Sequence, residues 1–341
     1  MNPLDPEQIL NLFAKTVDTT YAGGIPSSLL ARQDLEAEIV KLTNRNTPLH
    51  DMLPRIRGEG LAHLWNQRVA LGALPGNNSP AELFYVDGGV PPTSDPKYVQ
   101  KTAAYKYLGV TGVITGPMIA SGRSFADIEA EVAEAKLREV IQGEEWALFK
   151  GNSAVANSQG AYTFDGLDVQ LTTNVIDNSG SALTASGNTV VELDEVIKKS
   201  RNQGGQPTHL FSSFGQQMKV NQIMGAKAQY WMNEGTMVTG GIHMQNYQST
   251  AGVLPLIGDF FINPTPPYPY NAAGSSGPTG AAVSNIYLIQ SGEIEMADLM
   301  PVGRTELAKV ADTVRFYISE YTVLAVKAEP WMGIVKNVLE P

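Results

Sequence analysis

The chain has 341 residues, is 43% hydrophobic and contains 24 Lys/Arg against 34 Asp/Glu, a formal net charge of -10. That length suggests one elaborate domain or two or three modest ones, and the acidic balance argues against a clamp for nucleic acid, which needs a basic face. With no cysteine, disulfides, thiolate metal sites and cysteine nucleophiles are excluded.

The start, MNPLDPEQIL, has no basic n-region and no apolar core, so no signal peptide is expected. No apolar run reaches membrane-spanning length, and a soluble product made in a cytoplasm is expected. The charge is uneven. Residues 52–123 carry seven Lys/Arg against four Asp/Glu, while residues 124–341 carry thirteen against twenty-three. The basic stretch reads either as a solvated loop or as an arm that lies on an acidic neighbour.

In chain order, residues 1–51 give weakly amphipathic helical patches, Pro6 to Val17 and Ser28 to Leu42, joined by YAGGIP. They are too short to hold a core alone and read as an arm that needs something to pack on. Residues 52–120 read as strands going out and back: HLWNQRVALGA, then the Gly/Pro-rich LPGNNSP and VDGGVPPTSDP, then YVQKTAAYKYLGVTGVITG. A two-stranded ribbon is marginal by itself in water.

Ser124 to Lys150 reads as one long helix with Ser124 as N-cap and Gly151 as stop. Its stripe runs through Ile128, Val132, Ala133, Leu137, Val140, Ile141 and Leu148, and Gly143 is its weak point. A polar loop follows. Thr189 to Gln203 is predicted helical, with Thr189 and Glu192 as a capping box. HLFSS then reads as a buried strand, and SFGQQMKVNQIM as a helix with Ser213 and Gln216 as a second box. GVLPLIGDFFINP is strand-like, residues 264–283 form a Pro/Gly/Ala-rich loop, and NIYLIQ, EIEMADL, TVRFYISEYTVLAVKA and WMGIVKNVL are four further strands.

Catalytic chemistry has little support. His50, His63, His209 and His243 have no metal-ligand spacing. Ser212 and Ser213 do not lie in a nucleophile-elbow motif, and an N-cap role suits Ser213 better. Asp165 and Asp168 could pair, but Asp165-Gly166 reads more simply as a turn. No glycine pair belongs to a phosphate loop. Tyr105 and Tyr107, set between Lys101 and Lys106, could stack bases, or simply face a strand.

The order of parts resembles the major capsid proteins of tailed bacteriophages, the Hong Kong 97-type α+β fold. The resemblance rests on element order over nearly the whole chain. It implies an N-terminal arm (1–51), an E-loop ribbon (52–120) and a P domain with spine helix 124–150 and its following loop (121–188). An A domain (189–284) and returning sheet strands (285–341) complete the order. It implies a structural, non-enzymatic protein with no cofactor and no metal. Its partners would be further copies in hexamers and pentamers, a portal protein, a separate scaffolding protein and optionally a cement or decoration protein, around double-stranded DNA enclosed without specific binding. The location would be the virion, assembled in the host cytoplasm, without a membrane.

The candidate inter-subunit contacts are Arg55, Arg57, Arg68, Lys97, Lys101 and Lys106. The founding member's Lys–Asn cross-link could use Lys97, Lys101 or Lys106, but nothing marks a partner Asn, and non-covalent stability is expected. The stretch before the ribbon is too short for a fused scaffolding segment. An encapsulin-like compartment shell and, in another class, a soluble α/β hydrolase or binding protein are the alternatives.

Overall fold

Where an apolar stripe, a strand alternation and a buried ionic cluster meet on one helix, that helix becomes the frame. The computed structural model describes residues 41, 43–74, 79–122, 127–186, 189–225, 246–263, 282–309 and 311–341. The helices expected over Pro6–Val17 and Ser28–Leu42, the cap at Ser124 and residues 264–281 of the Pro/Gly-rich loop lie outside them. The elements that follow belong to one compact unit, Thr43–Arg123 with Asp127–Pro341.

The chain enters through α1 (Pro48–Met52), β1 (Arg55–Arg57) and β2 (Ala62–Ala70), then returns through β3 (Lys97–Ala104) and β4 (Lys106–Thr115). Next come α2 (Gly116–Gly122), the long α3 (Ile128–Lys150), α4 (Leu167–Gln170), β5 (Val175–Asp177), β6 (Ala185–Ser186), β7 (Thr189–Val190) and α5 (Val191–Asn202). The remainder is β8 (His209–Ser212), α6 (Phe214–Gly225), β9 (Asn246–Ser249), β10 (Gly252–Gly258), β11 (Val283–Ile289), β12 (Ile294–Leu307), β13 (Thr313–Val326) and β14 (Gly333–Leu339).

Three sheets matter. The ribbon is β2 paired antiparallel with β3, from Ala62 opposite Ala104 to Ala70 opposite Lys97. A four-stranded sheet runs β1-β12-β13-β4, and a six-stranded sheet runs β5-β14-β11-β8-β10-β9. The return run was expected to be one long ribbon strand. It breaks at Tyr105 instead. Residues before it pair with β2, and residues after it pair with β13, Lys106 opposite Thr322 through Thr115 opposite Thr313. The alternation of β4 faces α3, and only a sheet partner can satisfy its backbone there. Gly112 is required in that strand because the Phe316 ring occupies the place of a side chain.

The helix α3 is 23 residues, about 35 Å at 1.5 Å per residue, and runs unbroken through Gly143. Its described cap is Asp127, whose carboxylate accepts from the Glu129 and Ala130 amides at 3.1 and 3.3 Å. Asp suits the Ncap position as well as Ser does and adds a charge at the positive helix end. The N-terminal half of α3 lays Val132, Ala133 and Val140 on Ile114, Phe316 and Ile318 of the four-stranded sheet. The C-terminal half drives Ala147, Leu148 and Phe149 into the main core with Phe211, Phe261 and Tyr287. A second core of Leu193, Val196, Ile197, Leu210 and Leu288 lies beneath α5.

The two capping boxes fare differently. Ser213 Oγ accepts from the Gln216 amide at 3.1 Å, as expected. Gln216 does not reach back; its amide donates to the Val338 and Leu339 carbonyls, because its side chain is buried against β14. At α5 the box is absent. Thr189 sits in β7, the helix starts after Val190 without a side-chain cap, and the Glu192 carboxylate accepts from the Thr184 amide at 3.0 Å. The short β6–β7 pairing takes Thr189 out of the cap position.

Phe149 is fully buried, with its ring 6.0 Å from Phe211 and 5.0 Å from Tyr287. Truncation to Ala is expected to lower the unfolding free energy by about 3–5 kcal/mol. Chemical denaturation reads this as a lower midpoint with an unchanged slope.

Candidate self-association surface

The ribbon leaves the body at Gly58 and carries apolar side chains into solvent. Leu64, Val69 and Tyr98 are exposed on the paired strands, and Leu71 just past β2 is exposed too. Beyond them, among the described residues, lies one short 3-10 turn, Pro80–Leu83, capped by Ser79. Phe84 and Val90 there are each 87% exposed, with Tyr85 and Val86 between them also open. Single exposed apolar residues are ordinary, but a contiguous set on one projecting element marks an interaction surface. The neck is tight: Gly72 has φ +124°, and a side chain on it would meet the Asp95 carbonyl oxygen at 2.7 Å.

The expected contact residues separate into three groups. Arg57, Arg68, Lys97 and Lys101 are exposed, and among the described residues none of them has a carboxylate within salt-bridge distance. Lys106 is half-buried with Nζ 5.7 Å from the centre of the Tyr162 ring, a cation–π contact within the chain. Arg55 is different again. Its side chain is 29% exposed, and its guanidinium donates to both oxygens of Glu144, at 2.8 and 2.7 Å, to Asp298 at 3.1 Å, and to Glu320. The charge of Arg55 is therefore met inside its own chain, where β1, α3, β12 and β13 converge. Nothing local in the sequence marks Glu144, which is 0% exposed, as the partner of Arg55.

One guanidinium faces three carboxylates, and the imbalance moves protons. Burial, then repulsion from Glu144, push the Glu320 carboxyl up to about 7 against the pull of Arg55. Burial alone would lower His50, but the hydrogen bond and charge of Glu144, with Asp51, raise it; its Nε2 lies 3.2 Å from Glu144. One residue along, Glu145 accepts from the Leu49 and His50 amides at 2.8 and 2.7 Å and so caps α1. Burial, then the hydrogen bond and charge of Asp259, push Glu145 up to about 10. Burial likewise raises Asp259, whose Oδ2 is buried without a hydrogen-bond partner. The Glu145–Asp259 pair holds a proton at neutral pH.

The remaining candidates do not converge on a catalytic site. His209 lies on β8, lowered by burial and tilted against Phe211, and His243 lies outside the described residues. Ser213 bonds Glu340 and Ser284 at the start of α6. Asp165 accepts from the Ser153 amide, while Asp168 accepts from the Tyr287 hydroxyl and Asn285 amide, so they form no acid pair. Tyr105 is buried and Tyr107 exposed, its ring edge-on to Tyr321 at 4.7 Å; they make no common stacking platform. Among the described residues no group of three or more His, Asp and Glu could hold a metal ion, and no helix is long and apolar enough to cross a membrane.

Comparison with known proteins gives the same direction. The family model described as SU10 major capsid protein matches residues 13–339. The chain is similar to the major capsid protein of Staphylococcus phage K, 26% identical over 259 residues that make up 74% of this chain and 53% of that protein. It spans about half the length of the curated relatives it matches. Among solved structures, it is similar to the capsid of a native GTA particle, with TM-score 0.61 and 13% identity over 94% of this chain and 100% of that one. It is similar also to the holo-SrpI encapsulin of Synechococcus elongatus, with TM-score 0.54 and 12% identity over 94% and 97%.

Two outcomes follow for the buried ionic cluster. Arg55→Ala strands three carboxylates around an empty centre and is expected to cost about 3–5 kcal/mol by denaturant titration. The second concerns pH. Glu145, Asp259 and Glu320 hold protons in the folded chain that the unfolded chain releases above its ordinary carboxyl range near 4.5. Their contribution is therefore lost as pH rises, through about 7 for Glu320 and toward about 10 for Glu145. The raised His50 acts in the same sense, being fully stabilising below 6.5 and losing its contribution as pH passes its folded value. The thermal midpoint is expected to fall from about pH 6 to about pH 9. In Asp259→Asn the amide supplies a donor in place of the proton held by the pair, and that fall should become smaller. An equal fall in both proteins, followed by circular dichroism, contradicts the assignment.

Proposed function

The chain belongs to the SU10 major capsid protein family, its α+β fold is of the Hong Kong 97 type, and from that premise we propose that it is the structural subunit of a tailed-phage head. Copies associate as hexamers and pentamers and close an icosahedral shell around double-stranded DNA. The observation that carries this reading is the ribbon: an element with no core of its own, with exposed apolar side chains on its strands and at its end, and bearing cations that lack partners within the described chain. Burial of such residues at about 25 cal/mol per Å² favours association. A surface that is acidic elsewhere offers Arg57, Arg68, Lys97 and Lys101 their complement. Individual exposed ion pairs contribute only about 0–1 kcal/mol. Repetition around a closed shell sums them, and their individual weakness lets a misplaced subunit leave.

A net charge of -10 suits a container that does not bind its nucleic acid tightly. A portal protein, a separate scaffolding protein and a cement protein complete the proposed set of partners, with assembly in the host cytoplasm. The likeness to an encapsulin supports a second reading, a compartment shell; co-purifying cargo enzyme in place of packaged DNA would favour it.

Deletion of Leu74–Pro96, the outer part of the ribbon, is expected to leave a folded chain with an unchanged far-ultraviolet spectrum that no longer forms closed particles. Negative-stain electron microscopy of the purified protein checks it, and normal shells from the deleted chain would sink the proposal.

A further inference from the structure

The sequence contains two Asp-Gly steps, Asp87-Gly88 and Asp165-Gly166, and the fold treats them oppositely. An aspartate followed by glycine can close on itself: the glycine amide nitrogen attacks the side-chain carboxyl carbon, and a succinimide ring forms. Glycine has no Cβ to block the approach, and its backbone turns freely. The reaction therefore depends on whether the carboxyl, the amide and the backbone between them are held.

At Asp165-Gly166 all three are held. The Asp165 carboxylate accepts from the Ser153 amide at 2.7 Å, and the Gly166 amide donates to the Gly151 carbonyl at 2.9 Å. Gly166 is buried, and a side chain on it would meet the Ala147 carbonyl oxygen at 2.5 Å. At Asp87-Gly88 none is held. Both residues are exposed at the outer end of the ribbon, in a turn closed by the Gly89 amide donating to the Val86 carbonyl at 2.9 Å. Gly88 has φ +75° and Asp87 lies outside that region, the pattern of a type II turn, whose hydrogen bond joins the outer residues and leaves the inner amide free. Neither the Asp87 carboxylate nor the Gly88 amide has a hydrogen-bond partner among the described residues, and nothing lies within 4 Å of where a Gly88 side chain would stand.

We propose that Asp87 is a site of spontaneous isomerisation to isoaspartate. The Gly88 nitrogen bonds to Cγ of Asp87, and the amide hydrogen leaves with the carboxyl hydroxyl as water. Water then reopens the ring. Breaking the bond from nitrogen to Cγ restores aspartate. Breaking the bond from nitrogen to the α carbonyl carbon leaves the main chain running through Cβ and Cγ, one methylene longer, with the carboxylate on Cα. Mass and charge are unchanged, and water is the one co-reactant. The hydrogen-bonded ring of the Val86–Gly89 turn gains an atom, so the turn opens and Val90 shifts against Phe84, Tyr85 and Val86. A further consequence rests on the shell reading above: the shift spoils the apolar end by which one copy holds another, so subunits that wait unassembled lose the capacity to join.

The full chain, incubated for weeks at body temperature and mildly acidic pH, tests the site. Digestion with a protease that cuts before aspartate and not before isoaspartate, read by mass spectrometry, follows each step. Asp87 should convert roughly tenfold or more faster than Asp165, the difference coming from the two hydrogen bonds that hold Asp165-Gly166, and in denaturant the two rates should converge. Asp87→Glu, which would have to close a larger ring, should stay unmodified. An Asp87 that stays intact, or an Asp165 that converts as fast in the folded chain, overturns the site whatever becomes of the shell. Electron microscopy tests the consequence: aged wild-type chain should form fewer closed particles than fresh chain, and aged Asp87→Glu as many as fresh Asp87→Glu. Equal losses in both overturn the link to association, whereas fresh wild-type chain that forms no particles counts against the shell reading alone.

Discussion

A single guanidinium, Arg55, holds together parts of the chain that are far apart in sequence. It reaches Glu144 on the long helix, Asp298 on β12 and Glu320 on β13. Taking several charges out of water is costly unless each finds a partner. With three acids around one base, burial and the repulsion of Glu144 push the Glu320 carboxyl up to about 7. Next to it, Glu145 caps α1 and shares a proton with Asp259. The entrance of the chain, the frame helix and the sheet that receives β4 are thus fixed relative to one another by one polar knot. The ribbon begins a few residues from that knot.

Much of this was legible in the sequence because it rests on periodicity. The long helix, the helix–strand–helix run of α5, β8 and α6, and the closing strands β11 to β14 all follow from patterns of Leu, Val, Ile and Phe. What periodicity cannot reveal is pairing. Nothing in YVQKTAAYKYLGVTGVITG says that its partner changes at Tyr105, since both halves alternate alike and the choice of β13 is made by α3 covering that face. The Thr189–Glu192 box failed for a related reason: a spacing rule is local, whereas the two-residue pairing of β6 with β7 decides what Thr189 does.

The ionic knot was invisible for a different reason. Glu144 and Glu145 follow Gly143 in a helix rich in surface glutamates, and only their burial distinguishes them from Glu134 or Glu139. Arg55 carried a signal, a cation in a basic stretch, but the signal suited a neighbouring surface as well as the chain's own interior. Arg57, Arg68, Lys97 and Lys101 give the contrast: the same residue types in the same stretch remain open to solvent. A run of positive charge is thereby two populations, one that builds the fold and one left over for association.

The change of partner at Tyr105 has a mechanical consequence. Eight residues of β3 extend about 26 Å from that point at about 3.3 Å each. A turn of ten degrees there sweeps the far end through about 5 Å. Tyr105 is thus a fulcrum. Its short side is clamped by the ten-residue pairing of β4 with β13, so small torsions in a stiff body become displacements at the outer end comparable to the spacing between neighbouring strands.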